Sequence, residues 1–213
     1  MNKFVVILLS LIACSSGAIG FHYLTKPAQP EFALYYQPSR SLTAFNLNDQ
    51  FGQQFSKQSL QDKWSFVFLG YTSCPDVCPT SLQSLNFIYA DLKAINPNSQ
   101  VLLVTADPKR DSQEKLAQYI AYFNEEFIAL RAEHDELFPF TRSLGLMYSI
   151  TEESDPQSHG HYQVDHSASL VLINPDGNIA AIFKPEQALG QIPQVNTDKL
   201  LSDYKKIVVL YES

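Results

Sequence analysis

Two cysteines four positions apart, Cys74 and Cys78, are the residues of this sequence best suited to chemistry. Each is followed by a proline, and the pair lies between an apolar run and a segment with helical periodicity. A proline disfavours helical angles in the preceding residue, so Cys74 is predicted in a loop and Cys78 near the first turn of a helix. The positive end of the helix dipole, at the first turn near Cys78, favours a thiolate. The pair could form a disulfide, a redox dithiol, a peroxidase site or half of a metal site.

The elements that would position these cysteines alternate between strands and helices. Apolar runs predict strands, and apolar residues at helical spacing predict helices. The first half is predicted to contain a hairpin over 45–55, a strand at 64–71, a helix starting at or just after Cys78, and a strand at 101–105. The second half is predicted to begin with a helix opened by a capping box of Asp111 and Glu114, followed by a weaker strand at 127–130 and a helix over 135–145. An antiparallel hairpin of 167–173 and 178–183, joined by Asn-Pro-Asp-Gly, and a helix over 197–210 are predicted to complete it.

This order is typical of an α/β domain with a thioredoxin-like fold, in which helices flank a mixed central sheet. The cysteines would then lie at the carboxyl end of a central strand, where open α/β sheets place their sites.

His166 is the best candidate for a third ligand, which is needed because two thiolates alone rarely complete a metal site. It directly precedes the run 167–173, which in a thioredoxin-type sheet passes beside the cysteine loop. Thioredoxins usually have a proline at this position, where this sequence has Asp165 and His166. Two cysteines with a histidine suit Cu(I) and can hold Cu(II), whereas zinc would usually need a fourth ligand or a water. Copper, a pure redox dithiol, zinc and a structural disulfide all stay open on these residues alone.

Several stretches around these residues resemble the Sco/SenC family of copper-binding proteins. They are 68–82 (FLGYTSCPDVCPTSL), 105–111 (TADPKRD), 162–168 (YQVDHSA) and 174–177 (NPDG), and they run in family order across most of residues 41–210. The resemblance implies a thioredoxin-like fold tethered to the bacterial or mitochondrial inner membrane. It also implies that Cys74, Cys78 and His166 bind copper.

The function that this resemblance implies is assembly of the dinuclear copper A centre of cytochrome c oxidase, by copper delivery, by reduction of the target's cysteines, or by both. The implied partner is the copper-bearing subunit of the oxidase. Other periplasmic copper chaperones and thiol reductants are further candidate partners.

Three acidic residues near these motifs have both a structural and a functional interpretation. Asp107 forms a turn before its proline and Asp111 caps a helix, or else these two residues orient a ligand or meet the partner. Asp165 either starts a strand or orients the imidazole of His166. The histidines His159 and His161, in Ser-His-Gly-His, belong either to a solvated loop or to an accessory copper-capture site.

The amino-terminal segment predicts attachment to a membrane. Residues 4–24 carry no formal charge and are long enough to cross a bilayer as a helix. The sequence Leu-Ile-Ala-Cys ending at Cys14 also fits the site at which bacterial lipoproteins are cut and lipidated, and a cleaved secretory signal is a third alternative. The predicted organisation is an anchor over 1–26, a proline-containing tether over 27–40, and a domain over 41–213 that faces the periplasm of a bacterium.

Composition excludes one class of partner, and the cysteines leave two rival activities. With 15 basic and 22 acidic residues and no basic stripe, nucleic acid is not expected as a partner. A thiol-disulfide oxidoreductase would use the two cysteines alone, without His166. A peroxidase is disfavoured, because peroxiredoxins have a Thr or Ser three residues before the reactive cysteine, where this chain has Pro75.

Overall fold

An eight-stranded sheet forms the centre of the protein in this computed structural model, which describes residues 3–5, 11–12, 14–16, 27–152, 162–187 and 190–213. The strands are β1 (Leu34–Ser41), β2 (Asn46–Asp49), β3 (Gln54–Ser56), β4 (Trp64–Gly70), β5 (Ser99–Thr105), β6 (Ile128–Arg131), β9 (Leu170–Ile173) and β10 (Asn178–Phe183), with β7 (Tyr148–Glu152) and β8 (Tyr162–His166) in a separate two-stranded sheet. The order in the large sheet is β1-β10-β9-β4-β5-β6-β2-β3. Strands β4, β5 and β6 are parallel and the other pairs are antiparallel, so the predicted mixed sheet is confirmed.

Helices cover the sheet, as the apolar spacing predicts. They are α1 (Val77–Phe87), α2 (Tyr89–Ile95), α3 (Gln113–Phe123), α4 (His134–Leu144) and α5 (Thr197–Glu212), with a short 3-10 helix over Lys57–Leu60. The predicted helix beginning near Cys78 is divided at Ile88, which has φ −96° and ψ 4°. The apolar residues before and after this break remain in the core, since Leu82, Leu85, Tyr89 and Leu92 are all buried.

Strand β4 lies within the core, since all seven of its residues are buried. Tyr204 of α5 packs edge-on against Trp64 and Phe66, with ring centroids 5.7 and 4.9 Å apart. Full burial of one large apolar side chain contributes roughly 1.5–3 kcal/mol. The strand that leads into the cysteines is therefore one of the most firmly held parts of the molecule.

The start of α3 differs from its prediction by one residue. Ser112, and not Asp111, is the N-cap, and its side chain accepts the backbone N–H of Lys115 at 3.2 Å. The carboxylate of Asp111 turns inward instead and is fully buried, because hydroxyl and N–H donors of Thr72 and Thr105 lie there.

Two regions contain strands that the sequence did not predict. Strand β1 runs through the segment predicted as a tether over 27–40 and pairs with β10. Its entry is fixed by the buried carboxylate of Asp203, which accepts the N–H groups of Glu31, Phe32 and Ala33. The second region is the β7–β8 hairpin, in which Tyr148 pairs with His166.

The membrane anchor predicted over 1–26 stays a prediction. Within the residues that the structure describes, no helix combines the length and apolar character required to span a bilayer. The described parts of residues 3–16 are helical and exposed, Cys14 among them, and the remainder of the predicted anchor lies outside the described residues.

Candidate metal centre

The two cysteines lie where β4 ends and α1 begins. Residues 71–76, which we call the cysteine loop, connect these elements, and the carbonyl of Tyr71 accepts the N–H of Cys74 at 3.3 Å. Cys74 is half-buried in this loop, whereas Cys78 is fully buried in the first turn of α1. Pro79 is tolerated beside it, because N–H groups of a first helical turn have no partner within the helix.

His166 reaches the cysteines from the end of β8. Its Nε2 atom lies 3.3 Å from the Sγ atom of Cys78, and its Nδ1 atom lies 3.2 Å from the carbonyl oxygen of Ser167. The imidazole is packed edge-on against Phe68 and Tyr71, with centroids 6.0 and 5.8 Å apart. The three atoms that could bind a metal, two sulfurs and one nitrogen, all lie within 4.8 Å of one another.

Gly70 leaves the space that the Sγ atom of Cys78 occupies. A Cβ atom at this position would lie 2.9 Å from Phe68, 3.0 Å from that sulfur and 3.1 Å from Leu103. Contacts under 3.0 Å are essentially never made by Cβ atoms, so any larger residue at position 70 would displace its neighbours. The sequence analysis did not identify this residue, although a glycine at the end of a buried strand is a signal of close approach.

Hydrogen bonding between the two cysteines shifts the pKa values of their thiols in opposite directions. Hydrogen bonding from the Cys78 thiol lowers the pKa of Cys74 to about 4, against the opposing effect of burial and with further help from His166 and the N–H of Cys78. Hydrogen bonding to Cys74, burial, and the nearby negative charge of Cys74 raise the pKa of Cys78. The thiolate therefore belongs to Cys74, whereas the sequence analysis expected it at the helical position. The helix contributes indirectly, since the Cys78 N–H lies 3.4 Å from the Sγ atom of Cys74.

Asp107 supports the strand that carries His166. It is fully buried, accepts the hydroxyl of Tyr162 at 2.5 Å, and pairs with Arg110. The guanidinium of Arg110 lies 3.9 Å from the ring centroid of Tyr162 and donates to its carbonyl at 3.1 Å. We call these three residues the hairpin clamp, because they connect the start of β8 to the loop after β5. Sequence reasoning named Asp107 but missed its two partners.

Other residues named from the sequence have a weaker connection to the site. Asp165 is exposed on β8, and its role in orienting His166 stays a prediction, with Nδ1 of that histidine directed to the Ser167 carbonyl. Burial raises the pKa of Tyr71 to about 12, so its hydroxyl stays protonated beside the site. His159 and His161 lie outside the described residues.

The chain matches a known protein family. The family model described as SCO1/SenC matches residues 35–199. This chain belongs to the SCO1/SenC family. A "Putative copper-binding protein" of Stutzerimonas stutzeri is 36% identical over 157 residues, which cover 73% of this chain and 75% of that protein.

Two solved structures of Sco proteins have the same fold. Arabidopsis thaliana ScoI, crystallised with copper bound, has a TM-score of 0.66 at 26% identity and covers 79% of this chain and 98% of its own. BsSco, described as having a disulfide switch and as a member of the Sco family of cytochrome c oxidase assembly proteins, has a TM-score of 0.58 at 21% identity over 81% of this chain and 95% of its own. The similarities confirm the thioredoxin-like, mixed α/β fold predicted from the sequence.

Proposed function

We propose that this protein is a copper chaperone that binds one copper ion through Cys74, Cys78 and His166 and assists assembly of the dinuclear copper A centre of cytochrome c oxidase. The main support for this function is that the three donor atoms all lie within 4.8 Å of one another. Two soft sulfur donors together with an imidazole favour Cu(I) and also accommodate Cu(II). The copper-bound Sco relative supports the same choice of metal.

The properties of the donors suit a metal that is held and then released. Cys74 is already ionised at neutral pH and half-exposed, so it can receive copper without first losing a proton. Cys78 keeps its proton in the free protein and releases it when copper takes the place of that proton. His166 approaches from a different sheet, which allows one ligand to leave while the sulfurs still hold the ion.

A second function, thiol-disulfide reduction of the target's cysteines, is favoured by the low pKa of Cys74. The Cys74 thiolate would attack a target disulfide and form a mixed disulfide, and Cys78 would then displace the reduced target while the pair is oxidised. Only the reduced pair binds copper, so the two activities exclude one another at any moment.

The proposed location is the extracytoplasmic face of the inner membrane, where residues 1–26 anchor the domain and Cys14 is a candidate for lipidation. The uncharged stretch over 4–24 supports this placement. Such a location brings the domain to the copper-bearing subunit of the oxidase, its proposed partner. Periplasmic copper chaperones or thiol reductants would load or reduce it.

The test mixes the copper-loaded, full-length protein with a soluble copper-free fragment of the oxidase subunit and follows the absorption of the copper A centre. Delivery predicts that the centre forms with the wild type and not with His166→Ala. Reduction predicts that His166→Ala still reduces a disulfide in the fragment, measured by thiol titration. Absence of copper transfer together with full reduction by both proteins would contradict the chaperone function.

A further inference from the structure

Asp111 lies fully buried beneath the cysteine loop, although it is outside the proposed ligand set. Its Oδ1 atom accepts the hydroxyl of Thr72 at 2.5 Å, and its Oδ2 atom accepts the backbone N–H of Thr72 at 3.1 Å. Oδ2 also accepts the hydroxyl of Thr105 at 2.7 Å. One carboxylate therefore joins the residues after β4 and the end of β5 to the chain that leads into α3.

Capping of α3 does not account for the hydrogen bonds that Asp111 accepts. Ser112 already caps α3. A carboxylate is tolerated in a buried position only when its oxygens are well hydrogen-bonded. Thr72 donates two of the three hydrogen bonds that the Asp111 carboxylate accepts. Thr72 lies two residues before Cys74 and next to Tyr71, whose carbonyl accepts the Cys74 N–H. The backbone is thus fixed immediately before the first sulfur.

We infer that Asp111 is a positioning residue that holds the cysteine loop through Thr72 and thereby sets the separation of the Cys74 and Cys78 sulfurs. The inference rests on the proposed function, since it concerns the same pair of cysteines. When the loop is released, the two sulfurs meet less often, so a shared copper ion and a disulfide both become less stable. Residues that orient metal ligands typically contribute about 10- to 100-fold to metal affinity.

Asp203 provides a matched control. It is also fully buried, and it also accepts three hydrogen bonds, from the N–H groups of Glu31, Phe32 and Ala33 at 2.9, 2.6 and 2.8 Å. These bonds join the segment before β1 to α5, and none of them involves the cysteine loop. Loss of either carboxylate removes a buried group that accepts three hydrogen bonds, but only loss of Asp111 should change the separation of the two sulfurs.

The test compares the full-length variants Asp111→Asn, Thr72→Val and Asp203→Asn. Cu(I) affinity is measured by competition with a chromophoric chelator, and the free energy of unfolding is measured in urea. The copper-free protein is equilibrated with glutathione, where formation of the Cys74–Cys78 disulfide from two thiols converts one oxidised glutathione to two reduced molecules.

We expect Asp111→Asn and Thr72→Val to lower Cu(I) affinity roughly 10- to 100-fold. We also expect them to make the disulfide about tenfold easier to reduce, which corresponds to about 30 mV. Asp203→Asn should lower the free energy of unfolding and leave both sulfur properties unchanged.

Unchanged copper affinity and an unchanged glutathione equilibrium in Asp111→Asn and Thr72→Val would overturn the inference. Thr72→Val removes one of the bonds to the loop while leaving Asp111 in place, so it gives the answer if Asp111→Asn fails to fold. Failure of the wild type to bind copper would contradict the proposed function instead. In that case the glutathione equilibrium still decides whether Asp111 positions the sulfurs.

Discussion

The two cysteines and His166 reach the candidate site with different support. The cysteine loop follows β4, a fully buried strand hydrogen-bonded on both sides, to β5 and β9. His166 instead ends a two-stranded sheet outside the main one, which the hairpin clamp of Asp107, Arg110 and Tyr162 connects to the rest of the domain.

For the proposed copper site, we expect this difference to divide the roles of the three residues. The core fixes the sulfurs, which would supply the redox chemistry and keep hold of Cu(I). The imidazole depends on a peripheral hairpin and would complete tight Cu(II) binding, and it would be the first ligand to leave when copper passes to a partner.

Replacement of a sulfur should have the largest effect. Cys78→Ser removes a soft ligand from the buried side of the site, and a hydroxyl does not ionise to replace it. We expect Cu(I) affinity to fall more than about 100-fold, beyond the usual effect of residues that only support a ligand. The control is Cys14→Ser, which should bind copper like the wild type. An affinity for Cys78→Ser within tenfold of that control would show that the core sulfur is dispensable.

The pH dependence of alkylation should separate the two thiols. Because the pKa of Cys74 lies at about 4, below its ordinary value of 9.0, its reactive thiolate persists as the pH falls from 8 and is lost only near pH 4. Cys78 should stay unmodified throughout, since it is buried and its pKa is raised. Labelling with iodoacetamide and peptide mass spectrometry measure both sites. Half-maximal labelling of Cys74 near pH 8 to 9 would contradict this assignment.

Gly70→Ala should disturb the cysteine side without removing a ligand. The new methyl group would press on Phe68 and on the Sγ atom of Cys78. Overpacking of this kind costs about 1–3 kcal/mol in the free energy of unfolding, measured in urea. In the double variant with Cys78→Ala the sulfur is absent, so part of the cost should disappear. An equal cost in both backgrounds would mean that the sulfur does not occupy this space.

Tyr162→Phe should have the smallest effect, and it tests the histidine side. The variant loses the hydrogen bond to Asp107 at the start of β8. A single hydrogen bond contributes about 0.5–1.5 kcal/mol, or more where the partner is charged. We expect copper to dissociate several-fold faster, with the glutathione equilibrium of the cysteines unchanged. A change in that equilibrium as large as the change in copper release would remove the distinction between the two sides.

Much of this architecture follows from local patterns in the sequence. The apolar runs predict β4, β5 and β9, and the Cys-x-x-x-Cys spacing with prolines predicts a loop followed by a helix. His166 could be named because it occupies a position where thioredoxins have a proline, and because the motifs around it resemble those of one family.

The remaining features depend on contacts between distant segments, which local patterns do not reveal. The β7–β8 hairpin is held by a clamp whose residues, Asp107, Arg110 and Tyr162, are up to 55 positions apart. Asp111 satisfies a local capping pattern, yet its carboxylate turns inward because donors from β5 and the cysteine loop meet there. The choice of thiolate likewise depends on the hydrogen bond between the two cysteines and on the deeper burial of Cys78, which arise only in the packed fold.

Copper stoichiometry and absorption spectra of the full-length protein, compared with those of Cys74→Ser and His166→Ala, test whether all three residues bind copper. We expect one copper per wild-type chain, with Cu(II)-thiolate absorption that is abolished in Cys74→Ser. In His166→Ala the reduced cysteines should remain able to form their disulfide, while tight Cu(II) binding is lost. Tight Cu(II)-thiolate absorption retained without His166 would contradict a site built from two cysteines and this histidine.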